Sequence, residues 1–106
     1  MKVLLLGDRF MTNEVLEAAI RRVFDGCGVK MEFTYLSDNW PVDPVEKNDE
    51  VCEYCGDETA ILPLIRDADI LMTHTGCITS RVIAAAQKLR VIGVGRGGPV
   101  NINMAA

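Results

Sequence analysis

Residues Lys2 to Leu6, KVLLL, form a continuous apolar run closed by Gly7 and Asp8, and the residues behind them repeat at a helical spacing. A strand of a parallel sheet reads as such a run because helices cover the sheet on both faces. With Thr12 or Asn13 as N-cap, Val15, Leu16, Ala19, Ile20, Val23 and Phe24 fall on one helical face. Glu14 and Glu17 lie in the first turns, Arg21 and Arg22 in the last, and Gly26 is placed to cap the C-terminus. The period then returns to two over Val29 to Leu36, where Val29, Met31, Phe33 and Tyr35 alternate as in a strand near a sheet edge. ADILMT, Ala68 to Thr73, and RVIGVG, Arg90 to Gly95, predict a third and a fourth strand. Between them TSRVIAAAQKL predicts a helix capped by Thr79 or Ser80 that buries Val82, Ile83, Ala86 and Leu89. This repeated exchange of periods is the mark of β-α-β units, so the fold class is α/β, a parallel sheet with flanking helices.

Ser37 to Gly56 interrupts the pattern. With Pro41, Pro44 and an excess of acidic residues it reads as a long polar loop, and loops beyond about 12–15 residues tend to be functional or mobile. Asp57 can cap a helix from Glu58 to Arg66, but Pro63 in its interior, costing about 3 kcal/mol, should leave it broken or short. Trp40 beside Pro41 reads as a loop anchor, Cys27 as a small buried hydrophobe, and the methionines as core filler or tail. Asp8 either faces a ligand or caps the turn behind the first strand.

At 106 residues the chain has room for one core. Its net charge is −4 and its Lys and Arg form no block, which argues against a nucleic-acid or anionic-membrane surface. No run approaches the roughly 20 apolar residues of a membrane span, and VLLL is too short for a secretory core. Cys27, Cys52, Cys55 and Cys77 therefore read as reduced thiols in the cytoplasm.

Two of these cysteines open a metal reading. Cys52-x-x-Cys55 followed by His74-x-x-Cys77 leaves a spacing typical of structural zinc, and both pairs lie on loops behind strands of a parallel sheet. A small zinc-binding α/β module is thus one alternative. Thiol redox chemistry is disfavoured, because Glu50, Glu53, Asp57 and Glu58 surround the first pair and raise a thiolate's pKa. A receiver-type signalling domain would want an aspartate at the end of the third strand, whereas Asp69 opens it.

VIGVGRGGPVN, Val91 to Asn101, matches G-x-G-x-x-G formally through Gly93, Gly95 and Gly98. A dinucleotide site needs a helix opening at the third glycine and an acidic residue about 20 positions on, because the pyrophosphate sits on that helix's N-terminus. Here Pro99 follows the third glycine and no acidic residue remains, so the match fails on context. What is left is a glycine-rich turn that puts Arg96 at the carboxyl edge of the sheet, either facing a ligand or in solvent.

The stretch from Ala68 to Ala106, and RGGPVN within it above all, resembles the D-isomer-specific 2-hydroxyacid dehydrogenases, the group that includes D-3-phosphoglycerate dehydrogenase. The resemblance implies a flavodoxin-like substrate-binding domain built from both chain ends of a two-domain NAD enzyme, with the nucleotide-binding domain inserted between them. Residues 1–106 would then be the N-terminal segment of that substrate-binding domain, incomplete and inactive alone. It further implies that His74, Thr75 and Gly76, then Arg96, Gly97, Gly98 and Asn101, enclose a small 2-hydroxy or 2-oxo acid. The acid-base histidine, its carboxylate partner, the arginine that grips the substrate carboxylate and the nucleotide loop would lie beyond Ala106, so this segment would hold no NAD itself. Many members carry other residues at 74–77 and an aspartate where Asn103 stands, which leaves the substrate and a hinge contact open. A homodimer is left open as well.

Overall fold

In the computed structural model, which describes residues 1–95 and 100–106, the elements alternate. They are β1 (Lys2–Gly7), α1 (Asn13–Val23), β2 (Glu32–Ser37), α2 (Glu58–Ile65), β3 (Ile70–Thr73), α3 (Ser80–Ala85) and β4 (Val91–Val94). The strands form one parallel sheet in the order β2-β1-β3-β4, the order of the first four strands of flavodoxin-like sheets. The expected α/β class with flanking helices is therefore observed.

The order decides where the helices go. From β1 the chain steps one way to β2 and then back past β1 to β3, so right-handed crossovers must put α1 and α2 on opposite faces. One face packs Val3, Leu5 and Ile70 under Leu16 of α1, with Phe24, Phe33 and Met72 around them. The other packs Leu4, Leu6 and Leu71 under Ile61 and Ile65 of α2 and Val82 of α3. Leu4, Leu5 and Leu71 are almost wholly removed from water, each worth about 1.5–3 kcal/mol of hydrophobic stabilisation.

Several expectations need correction at this level. Thr12 caps α1 through its hydroxyl, but only Leu16 and Ile20 are buried, while Val15, Ala19 and Val23 face solvent. The helix lies over β1 and β2, so the flank of its apolar arc has no sheet beneath it. The helix ends on Phe24 rather than Gly26, which instead takes a positive φ in the following turn, and Cys27 in that turn is exposed rather than buried. β2 starts at Glu32, where its amide meets the Met1 carbonyl, and Tyr35 on this edge strand is exposed. α3 ends at Ala85, short of the expected Leu89.

α2 is short but not broken by Pro63. Ile61 and Ile65, one turn apart on either side of it, are both buried, and that burial offsets the lost proline N–H. The acidic loop is likewise tied down. Asn48 Oδ1 accepts from the Glu50 and Val51 amides, Val51 is buried, and Glu46 bridges Tyr54. The Cys52 amide donates to the Val100 carbonyl and the Cys55 amide to the Thr75 carbonyl, so the loop straps the region behind β3.

Candidate functional site

β1, β2 and β3 each hand their last residue to a polar group: Asp8 behind β1, Asp38 behind β2, His74 and Thr75 behind β3. Because the strands are parallel and in register, these groups meet at one edge. That edge holds the point where the chain direction reverses, between β1 and β3, and open α/β sheets bind ligands in the crevice there.

Asp8 organises the meeting. Its Oδ1 accepts from the Phe10 amide at 2.8 Å and the Met11 amide at 2.6 Å, closing the turn behind β1. Its Oδ2 lies 2.6 Å from His74 Nδ1 and accepts from Thr75 Oγ1 at 3.0 Å. The two readings of Asp8, turn cap and ligand-site residue, are thus held together by its two oxygens. Burial pushes the Asp8 carboxyl up, but the Met11 amide, His74, the Phe10 amide and Thr75 outweigh it and hold the group below its ordinary value. Ahead of it Gly7 is compulsory, since a Cβ there would collide with the Met11 carbonyl and the Asn13 backbone.

The side chain of His74 is 12% exposed, so it is largely enclosed and reaches the surface in part. Trp40 meets the ring edge-on at 5.2 Å and Phe10 lies tilted against it at 6.2 Å. Trp40 is itself fixed at both ends of its peptide unit, its carbonyl accepting from the Arg9 amide and its amide donating to Asp38 Oδ1. It is the expected loop anchor, but one whose ring walls the histidine.

Thr75 is buried, its hydroxyl 3.0 Å from Asp8 Oδ2 and 2.8 Å from Asp38 Oδ2. Burial moves Asp38 above the ordinary carboxylate value, opposed by Thr75 and the Trp40 amide, with Asp8 pushing further up and His74 down. Asp38 also borders a small cleft of about 80 Å³ with Leu6, Leu36, Cys55 and Ile61.

The remaining expected ligand residues divide. Gly76 is buried and its amide donates to Thr73 Oγ1, so it shapes the loop, where a Cβ would strike that same hydroxyl. Asn101 is fully buried and its Nδ2 donates to the carbonyls of Gly76 at 2.8 Å and His74 at 3.4 Å, fastening the C-terminal segment to the loop behind β3. Its Oδ1 is buried with no hydrogen-bond partner among the described residues. Arg96, Gly97 and Gly98 lie outside the described residues.

The zinc set does not converge. His74 Nδ1 is taken by Asp8, Cys52 is exposed, Cys55 and Cys77 are buried, and the Cys77 thiol accepts from Asn48. Among the described residues no group of three or more His, Cys, Asp or Glu side chains is placed to hold a metal ion. Burial, with Glu58 nearby, pushes the Cys77 thiol up to about 11, and burial raises Cys55, so neither is a ready thiolate. Nor does the glycine stretch form a nucleotide loop where it is described. Gly93 lies within β4, where a Cβ would overlap Met72 Sδ, so its role is close strand packing.

Asp38 and Trp40 were not read as site residues from sequence, although Asp38, like Asp8 and His74, stands directly behind a strand of a parallel sheet. Asn103, where an aspartate was expected, donates to Glu50 Oε2, a contact an aspartate would turn into repulsion. Among the described residues no helix is long and apolar enough to cross a membrane. Comparison with protein-family models, with curated proteins and with solved structures finds no match to this chain.

Proposed function

We propose that this chain supplies the substrate-binding part of an NAD-dependent D-2-hydroxyacid dehydrogenase, interconverting a 2-hydroxy acid and a 2-oxo acid, with D-3-phosphoglycerate dehydrogenase among the candidates. The observation that carries the reading is the union of its two substrate segments: Asn101, in the RGGPVN stretch, is hydrogen-bonded to the backbone of His74 and Gly76 at the switch point of the sheet. Residues that the resemblance names from separate stretches thus support one crevice rather than two. Within it His74, oriented by Asp8 and walled by Trp40 and Phe10, is the group that meets the ligand, while Thr75, Gly76 and Asn101 hold the loop in shape. Arg96, Gly97 and Gly98 are assigned a part in enclosing the acid on the resemblance alone.

The residues described here do not fit NAD, since Gly93 packs within a strand and Asn101 to Ala106 form turns and a bridge rather than a helix. The cofactor, the acid-base histidine and its carboxylate partner belong to the nucleotide-binding domain of such an enzyme. The four free thiols fit a reducing, cytoplasmic setting.

Amide spectra of the 106-residue chain titrated with D-glycerate, D-lactate and pyruvate test the reading. Millimolar ligand should move the signals of Asp8, His74, Thr75 and Asn101 and leave the opposite sheet edge unmoved, and His74→Ala should abolish the response. Micromolar NAD affinity by calorimetry, or acid binding confined to another surface, would overturn it.

A further inference from the structure

The hydrogen bonds around Thr75 require a proton count that the ligand site then inherits. Thr75 Oγ1 has one hydrogen, yet it lies within hydrogen-bond reach of two carboxylate oxygens, Asp8 Oδ2 at 3.0 Å and Asp38 Oδ2 at 2.8 Å. One hydroxyl proton cannot serve both. If both carboxylates were ionised, one of these short contacts would bring together two lone pairs, in a region removed from water where that is costly.

The other contacts decide which group carries the extra proton. Asp8 is offered the Phe10 amide, the Met11 amide, the Thr75 hydroxyl and His74 Nδ1, so all its hydrogen-bonding capacity is spent as an acceptor. Among the described residues Asp38 accepts through Oδ1 from the Trp40 amide, and its Oδ2 faces Thr75 from the wall of the cleft. Among the described residues the titratable groups facing Asp38 are Asp8 behind β1, His74 behind β3, Cys55 of the acidic loop and Asp57 at the start of α2. No Lys or Arg side chain among the described residues is hydrogen-bonded or ion-paired to it.

We propose that Asp38 is a positioning residue of this site: protonated, it donates to Thr75, Thr75 donates to Asp8, and Asp8, left wholly an acceptor, holds His74 with Nδ1–H inward and the Nε2 lone pair outward. The chain of bonds runs from the cleft beside β2 to the crevice beside β3. Its outcome is chemical selection, because an outward Nε2 lone pair accepts from the hydroxyl of a 2-hydroxy acid and has nothing to offer the carbonyl of the 2-oxo acid. The inference rests on the reading of His74 as the ligand-facing group, but its proton arrangement is measurable without any ligand.

His74 is the only histidine, so one imidazole spectrum reports it. In the wild-type chain the ¹³C signal of the Asp38 carboxyl should stay at its protonated position at a pH where exposed aspartates have already ionised. Neutral His74 should show a protonated Nδ1 and a bare Nε2. Asp38→Asn keeps a donor toward Thr75 and should preserve both the tautomer and the affinity for D-glycerate within about twofold, about 0.4 kcal/mol. Asp38→Ala takes away the donor that fixes the Thr75 hydroxyl and should weaken D-glycerate several-fold while leaving pyruvate unchanged. An Asp38 carboxyl that titrates with the exposed aspartates, or a neutral His74 that carries its proton on Nε2, would overturn the proposal. Should Asp38→Ala fail to fold, the wild-type carboxyl titration decides alone. Should D-glycerate not bind at all, the functional reading fails while the tautomer and titration results still judge the proton chain.

Discussion

Replacing Asp8 by asparagine changes one oxygen to nitrogen and nothing in size, so it isolates what the charge does. Oδ1 would still accept from the Phe10 and Met11 amides and keep the turn behind β1. The new amide nitrogen would instead donate where Oδ2 accepted, forcing His74 to receive at Nδ1 and carry its proton on Nε2. Nitrogen spectra of the single histidine should therefore show the tautomer inverted, and urea unfolding at neutral pH should show a loss of about 2 kcal/mol. An Asp8→Asn chain with wild-type tautomer would mean that the Asp8–His74 contact does not orient the ring. From sequence Asp8 was legible only as an alternative between cap and ligand residue. Which oxygen meets which donor depends on loops brought from positions 38 and 74, and no local spacing encodes that.

At the scale of elements, α2 offers the cleanest measurement. Pro63 lies on its exposed side with no N–H to give the Thr59 carbonyl, between Ile61 and Ile65, which hold the helix to the sheet. Pro63→Ala should restore that bond and raise stability by about 1–2 kcal/mol, less than the full propensity difference because proline also restricts the unfolded chain. A lower urea midpoint would show instead that the ring's own packing holds the helix end. The helix was legible from Asp57 as its cap, whereas the burial of Ile61 and Ile65 that carries it past Pro63 was not read. All four strands were legible too, β1, β3 and β4 from their apolar runs and β2 from its alternation as an edge strand. The buried face of α1 was not, because Val15 and Val23 satisfy the same period as Leu16 and Ile20, and only the width of the sheet beneath separates them. The strapping of the acidic loop escaped for a related reason. Its anchors are backbone amides of Cys52 and Cys55, and side-chain pattern carries no record of them.

For the whole molecule, the carboxyl edge of the sheet sets a buried carboxyl, Asp8, and a half-buried one, Asp38, pulling stability in opposite directions with pH. Asp8 is held below its ordinary value near 3.8, so it stabilises the fold above about pH 4 and that contribution is lost as the pH falls through its folded value. Glu17, held down by Tyr35 and Arg21, Glu50, held down by Asn103 and Ser80, and Asp57, held down by Thr59, add to the same acid loss from the surface. Asp38 is raised above 3.8, so the folded chain binds its proton more tightly than the unfolded one. Its contribution is fully present below about pH 4 and is lost as the pH rises through its folded value. The sum is a stability profile that climbs out of acid, peaks on the mildly acidic side and declines toward neutrality. Urea midpoints of the wild-type chain from about pH 3 to pH 8 should trace that maximum, and Asp38→Asn should remove the decline while leaving the acid limb in place. A wild-type profile that rises to neutral pH and stays flat would mean that Asp38 ionises at no cost to the fold, and with it the proton chain from Asp38 through Thr75 to His74 would lose its source.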